Sequence, residues 1–388
     1  MRAGLILLCL AYVLSQFFRA FLAVLSGPLA VDIGTTPDDL AFASGLWFLI
    51  FAAMQLPVGW ALDRVGPRRT AAALLLIGGG GGSALFALAT TPLQISLAMA
   101  LIGVGCSPVL MASYYIFARQ FPPAQFATLA ALMLGVGSVG NLVAAWPMAW
   151  AAETLGWRAA LWGLAGISVF VALGIHLLVR DPEAVSGDTR GSLLDLLKMP
   201  AIWAILPLMF VAYAPAAALR GLWAGPYLRD VFGLDTGQVG QATLVMGVAM
   251  IAGTFVYGPL DRVFNSRKWV IFTGNVICMA AIFVLMLWPD RHLGLSIALL
   301  AVIGLAGATF PVLIAHGRAF FPAHLAGRGV TLLNLFGIGG VGVAQFASGP
   351  LHAAAPTALA GYTAIFALFG FALVIGLVIY LFSRDSMD

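Results

Sequence analysis

Twelve times along this 388-residue chain, about twenty residues pass with little but Ala, Leu, Val, Ile, Gly and Phe. No other feature limits the fold as strongly. A bilayer core about 30 Å thick is crossed by about twenty apolar residues in helix, and within it every backbone polar group must be paired inside the segment. The runs fall at 4–31, 41–62, 70–89, 93–118, 126–151, 157–178, 200–228, 237–260, 269–288, 293–317, 328–352 and 357–382. They predict an all-α polytopic membrane protein with twelve spans. Charged residues make up 9%, whereas a water-facing surface needs about a quarter. A soluble domain is therefore excluded, and a pI of 9.1 reflects orientation in the membrane rather than nucleic acid. The start MRAGLILLCL is signal-like, but the apolar run continues past residue 30 without a cleavage site, so it reads as a retained first helix. Cys9, Cys106 and Cys278 lie in apolar runs at unrelated spacings and indicate neither a disulfide frame nor a zinc site.

Charge sets the orientation. The one long polar interruption, 179–199, divides the spans six and six, giving a first bundle 1–178 and a second 200–388. Loops on the side of the termini carry fourteen Lys/Arg, the opposite loops three (Arg158, Arg229, Arg291), and two lie inside the membrane. The positive-inside rule then places both termini in the cytoplasm.

The two bundles are related. LDRV occurs at 62–65 and again at 260–263; Gly27-Pro28 matches Gly225-Pro226 at the same offset; ARQFPPAQ at 118–125 matches GRAFFPAH at 317–324. Three matches in register predict two pseudo-symmetric six-helix bundles with a site between them near the midplane.

Between spans 2 and 3 stands GWALDRVGPRR, and here the chain resembles the major facilitator superfamily. Gly59, Asp63, Arg64, Gly66, Arg68 and Arg69 occupy the places of that family's signature loop. The resemblance covers the whole chain and implies a monomeric transporter in which this loop is a cytoplasmic gate. In that gate the acidic residue caps a neighbouring helix, and Arg119 is its candidate partner. Asp261 and Arg262 belong to the second copy, LDRVFNSRK, which is degraded: Phe264 stands in the place of Gly66. GVGSVG at 135–140 and GGGGG at 78–82 sit in apolar helix, where small residues mean close packing rather than nucleotide binding. Span 5 lacks the Gly-Pro pair of the family's drug antiporters.

The two mid-membrane cations are Arg19 in span 1 and Arg220 in span 7, on equivalent helices. A guanidinium at the bilayer centre costs roughly 2.5 to more than 10 kcal/mol. Around Arg19 one helical face reads Tyr12, Ser15, Gln16, Arg19, Ser26; around Arg220 it reads Tyr213, Arg220, Trp223, Tyr227. All fifteen Asp and Glu lie in loops or at helix ends. Two arginines without a carboxylate leave a positive cavity, and the guanidinium fork suits carboxylate or phosphate. This resembles the organic-anion and organophosphate branches of the superfamily. Candidate substrate contacts are Arg19, Arg220, Tyr12, Gln16, Tyr213 and Trp223, with Asn141 and Asn334 on spans 5 and 11, which line the cavity in this family.

The sequence thus points to a small-anion transporter of a bacterial inner membrane, surrounded by lipid, with no cofactor, no metal and no nucleic-acid partner. The alternative substrates are a neutral aromatic nutrient, favoured by Tyr213, Trp223 and Tyr227, or a soft metal such as copper, favoured by Met246 and Met250. No nucleophile–base pair or appended domain indicates an enzyme. With no midplane carboxylate, and with His176 and His316 near the cytoplasmic ends, the reading leans to exchange or facilitated flux; proton co-transport on the substrate or through an indirect site stays open.

Overall fold

A computed structural model of the chain describes residues 2–121, 123–182, 196–321 and 326–386. Most of the predicted central loop, 183–195, lies outside them. Among the described residues every regular element is a helix. Eleven helices are long and apolar enough to cross a membrane, and Ala3–Phe17 with Leu22–Ile33 makes a twelfth, bent by 56°. The observed spans 2 to 12 are Pro37–Leu62, Pro67–Leu88, Pro92–Phe117, Leu132–Thr154, Trp157–Leu178, Pro200–Phe232, Thr236–Val263, Arg267–Leu287, Leu293–Arg318, Gly329–Ala353 and Ala358–Tyr380.

Local chemistry fixes many ends. Spans 2, 4 and 8 begin in capping boxes, Thr36 with Asp39, Thr91 with Gln94 and Asp235 with Gln238, which satisfy first-turn N–H groups that would otherwise face lipid headgroups. Pro37, Pro67 and Pro92 occupy first helical positions, where a missing N–H costs nothing.

Several spans are interrupted, three of them by a sharp bend or a widened turn, and two of those three hold the central arginines. Span 1 breaks at residues 18–21, around Arg19, whose N–H turns back to the Gln16 carbonyl at 3.4 Å. Span 7 opens into a wide π turn over Leu219–Trp223, around Arg220. Span 3 carries the third, Leu75–Gly81, within the glycine run. There Gly78 lies against span 4 so closely that a Cβ on it would come within 2.3 Å of the Gly105 nitrogen.

The first six spans meet the last six at the end away from the termini. Gly45 of span 2 abuts Gly342 and Gln345 of span 11, and Gly240 of span 8 abuts Trp146 and Ala149 of span 5. Spans 1 and 7 cross backbone to backbone: a Cβ on Gly221 would lie 2.7 Å from the Arg19 carbonyl oxygen, and one on Gly225 would lie 1.9 Å from that of Ala23. Gln345 Nε2 donates to Ser44 Oγ at 3.1 Å, joining spans 11 and 2. Among the described residues no helix segment at the opposite end of one half is packed along a segment of the other. The bundle is therefore closed at the far end and open towards its termini.

Candidate functional site

Spans 1 and 7 bring Arg19 and Arg220 together just below their crossing. Arg220 is 3% exposed, lies beside Tyr213 and is within electrostatic reach of Arg19. The Arg19 guanidinium rests on an aromatic shelf from span 2, 4.9 Å from the Phe51 ring centre and 5.5 Å from that of Trp47. Those rings stack on each other at 5.1 Å. Arg19 Nε and Arg220 Nε and Nη1 are buried without a hydrogen-bond partner. Among the described residues the ion pairs are Arg68–Asp181, Arg158–Asp32, Arg229–Asp230 and Arg267–Asp261, so neither central arginine is in one. A buried, unpartnered guanidinium donor is costly unless something supplies an acceptor. What the arrangement can do is bind an anion between the halves.

The remaining predicted contacts divide. Tyr12, in electrostatic reach of Arg19 and Tyr213, belongs to the cluster, and its ring sits in a notch left by Gly137 of span 5. Tyr213 packs on Phe310 of span 10 at 4.7 Å, and Phe310 sits in the matching notch of Gly337 in span 11. Gln16 and Asn334 are partly exposed on spans 1 and 11, and Asn141 on span 5 keeps a buried Oδ1 without a partner. Trp223 is elsewhere: it is fully buried, donates to Ser348 Oγ at 2.9 Å and packs on His352 and Tyr362. The wide turn that ends at Trp223 adds residues to its helical turn and carries the side chain off the Arg220 face. Tyr227 is also enclosed, donating to the Pro289 carbonyl and lying 2.8 Å from Ser296 Oγ. Met246 and Met250 pack over Gly304 of span 10.

At the end nearer the termini, the first signature loop turns through Gly66, whose φ of +98° only glycine adopts without strain. Span 3 then starts at Pro67, and its first-turn Arg68 N–H is taken at 2.7 Å by a carboxylate the sequence reading did not select, Asp181 at the end of span 6. Arg68 Nε completes the contact at 3.4 Å and its Nη1 reaches the His176 carbonyl. The second half repeats the device: Asp385, beyond span 12, accepts from the Lys268 N–H at 3.0 Å and from Ser266 Oγ at the start of span 9. There the turn is made by Asn265 at φ +48°, one position after Phe264. Asp261 pairs with Arg267 at 3.3 Å, while Arg262, Arg64 and Arg69 are exposed. Arg119 lies over its own helix's Tyr115 ring at 4.2 Å. Gly59 has open space around it, and the side chain of Asp63 lies outside the described residues.

At the closed end two cross-half contacts occupy equivalent places. Glu153, ending span 5, lies against Gly237 in the first turn of span 8. Asp38, in the first turn of span 2, lies against Gly349 of span 11, one turn before His352.

The family model of the major facilitator superfamily matches residues 8–337. The chain belongs to this superfamily. As a major facilitator it is a multi-pass membrane transporter built for alternating access. It is 23% identical over 404 residues to the uncharacterized transporter YybO of Bacillus subtilis, covering 95% of this chain and 91% of that one. It is 22% identical to the probable L-galactonate transporter of Escherichia coli, over 84% of this chain and 73% of that one. Its fold matches the D-xylose–proton symporter with a TM-score of 0.81 at 13% identity, covering 98% and 97% of the two chains. It also matches a bacterial homologue of the lysosomal transporter Spinster, in an inward-facing and occupied conformation, with a TM-score of 0.75 at 19% identity, covering 98% and 94%.

Proposed function

We propose that this major facilitator moves a small organic anion, a carboxylate or phosphate ester, across a bacterial inner membrane. The observation that carries the reading is the pair of central arginines, one from each half, with buried donors that no residue satisfies. An anion held between them supplies the missing acceptors and the missing negative charge together. The probable L-galactonate transporter among the relatives is named for such a carboxylate. The excess of Lys and Arg on the side of the termini supports cytoplasmic termini, so that the opening faces the cytoplasm. The family's usual state supports a monomer.

Mechanism follows from the position of the site. An anion entering from the open end reaches the arginines beneath the span 1–span 7 crossing and bridges the halves. Rocking that parts Gly45 from Gly342 and Ala23 from Gly225 opens the far end around the same site.

The test is thermal unfolding of the purified protein against small carboxylates, phosphate esters, neutral vitamins and Cu(I), repeated on Arg19→Gln. A ligand bound only by the native state raises the melting temperature by mass action. An anion that stabilises the wild type and not the variant supports the reading. Equal responses of both proteins, or a response only to uncharged ligands or copper, overturn it.

A further inference from the structure

The far end holds a titratable group that takes no part in the anion site. His352, in the last turn of span 11, packs 5.2 Å from the Trp223 ring centre and 4.8 Å from that of Tyr362. Its Nε2 lies buried against Gly361 of span 12 without a hydrogen-bond partner.

Carboxylates face this ring from both halves. Asp38 of span 2 lies against Gly349, one turn before His352 on the same face of span 11. Asp230, at the end of span 7, accepts from the Tyr362 hydroxyl at 2.6 Å. His352 is within electrostatic reach of both carboxylates. The other charged groups on the packed elements have partners at hand: Arg229 pairs with Asp230 at 3.0 Å, and Asp39 accepts from Thr36. Among the described residues Asp38 is in no ion pair.

The two protonation states of the ring therefore act differently on the interface. Neutral, His352 leaves Asp38 without a counter-charge from the opposite half. Charged, it supplies one, and that attraction exists only while the halves meet at this end. The charged ring gains a partner on closure and the neutral ring does not, so proton binding and closure favour one another.

We infer that His352 is a proton-binding site shared with Asp38 across the two halves, and that its protonation holds the far end closed. On the orientation proposed above, this end faces outwards, so external acid favours the state open to the cytoplasm. The inference is independent of the cargo.

The experiment is the distance distribution between spin labels on Leu155 and Arg291, exposed at the far end of either half. It is measured on the full chain without added ligand, at about pH 5 and about pH 8, on either side of the ordinary imidazole range. Acidification is expected to raise the closed:open ratio about two- to fivefold, the order of a partly exposed ion pair. His352→Gln, which stays neutral throughout, is expected to abolish that response. Asp38→Asn, which removes the partner and keeps the histidine, is expected to abolish most of it and carries the test if the histidine variant does not fold. A response of full size in either variant, acidification that opens the far end, or a ratio that pH does not move in the unsubstituted chain overturns the inference. Each of these leaves the anion reading intact, because no anion is bound in any arm.

Discussion

Arg220 is the sharper of the two cations as a test of how the site grips. It sits in a wide turn with two of its nitrogens buried and unpartnered, so its planar fork is presented rather than solvated. A lysine at this position keeps the charge and loses the fork. Arg220→Lys is therefore expected to weaken anion binding at least about tenfold, the order of one charge-assisted hydrogen bond, with an unchanged melting temperature in the absence of ligand. Retention of wild-type affinity would show that only charge matters. Both arginines were legible in the sequence because nothing else charged lies so deep. Their shelf was not: Trp47 and Phe51 are apolar residues in an apolar span, and only the fold shows which of many rings meets Arg19. Trp223 shows the opposite limit. Helical spacing put it on the Arg220 face, and the wide turn, invisible to a fixed period of 3.6, moved it beside Ser348 and His352.

At the scale of helices, the twelve apolar runs became twelve spans because length and hydropathy alone decide that question in a bilayer. How the spans are tied at their ends was harder to read. Asp181 and Asp385 lie near the chain's polar interruptions, where acidic residues are common, and their common role at the starts of spans 3 and 9 is set by tertiary approach. Burial alone raises the Asp385 pKa, but hydrogen bonds from Ser266 and the Lys268 amide, with the field of His316, outweigh it and hold the carboxyl below its ordinary value. A depressed carboxylate contributes stability that is complete above the ordinary carboxylate range and lost as the pH falls through its lowered value. Asp385→Asn is expected to cost about 0.5–2 kcal/mol at neutral pH, as for a lost helix cap, and to flatten the acid limb of a melting-temperature profile. An acid limb unchanged in the variant would remove Asp385 from this role. The degraded second signature makes a related point: Asn265, tolerant of positive φ, takes over the turn that Gly66 makes in the first.

For the whole molecule, the balance between the two access states rests on the closed end. Gly225 of span 7 lies there backbone to backbone against Ala23 of span 1. Spin labels on Leu155 and Ala354, exposed on either half, report the open:closed ratio. Gly225→Val, which sets a side chain against the Ala23 carbonyl, is expected to raise that ratio at least about fivefold, since overpacking a close contact costs about 1–3 kcal/mol. An unmoved distance distribution in this variant would mean that the closed end is held elsewhere.

The crossing of spans 1 and 7 also bears on what an empty carrier does. Each half brings one positive charge to the place where the two backbones touch, so an unloaded molecule carries a spring of like charges across its own hinge, and on the anion reading proposed above the cargo is the counterweight that relaxes it. Occupancy and motion are thereby geared together: the return stroke without a passenger is the hard one. A machine geared this way idles slowly and resists slipping.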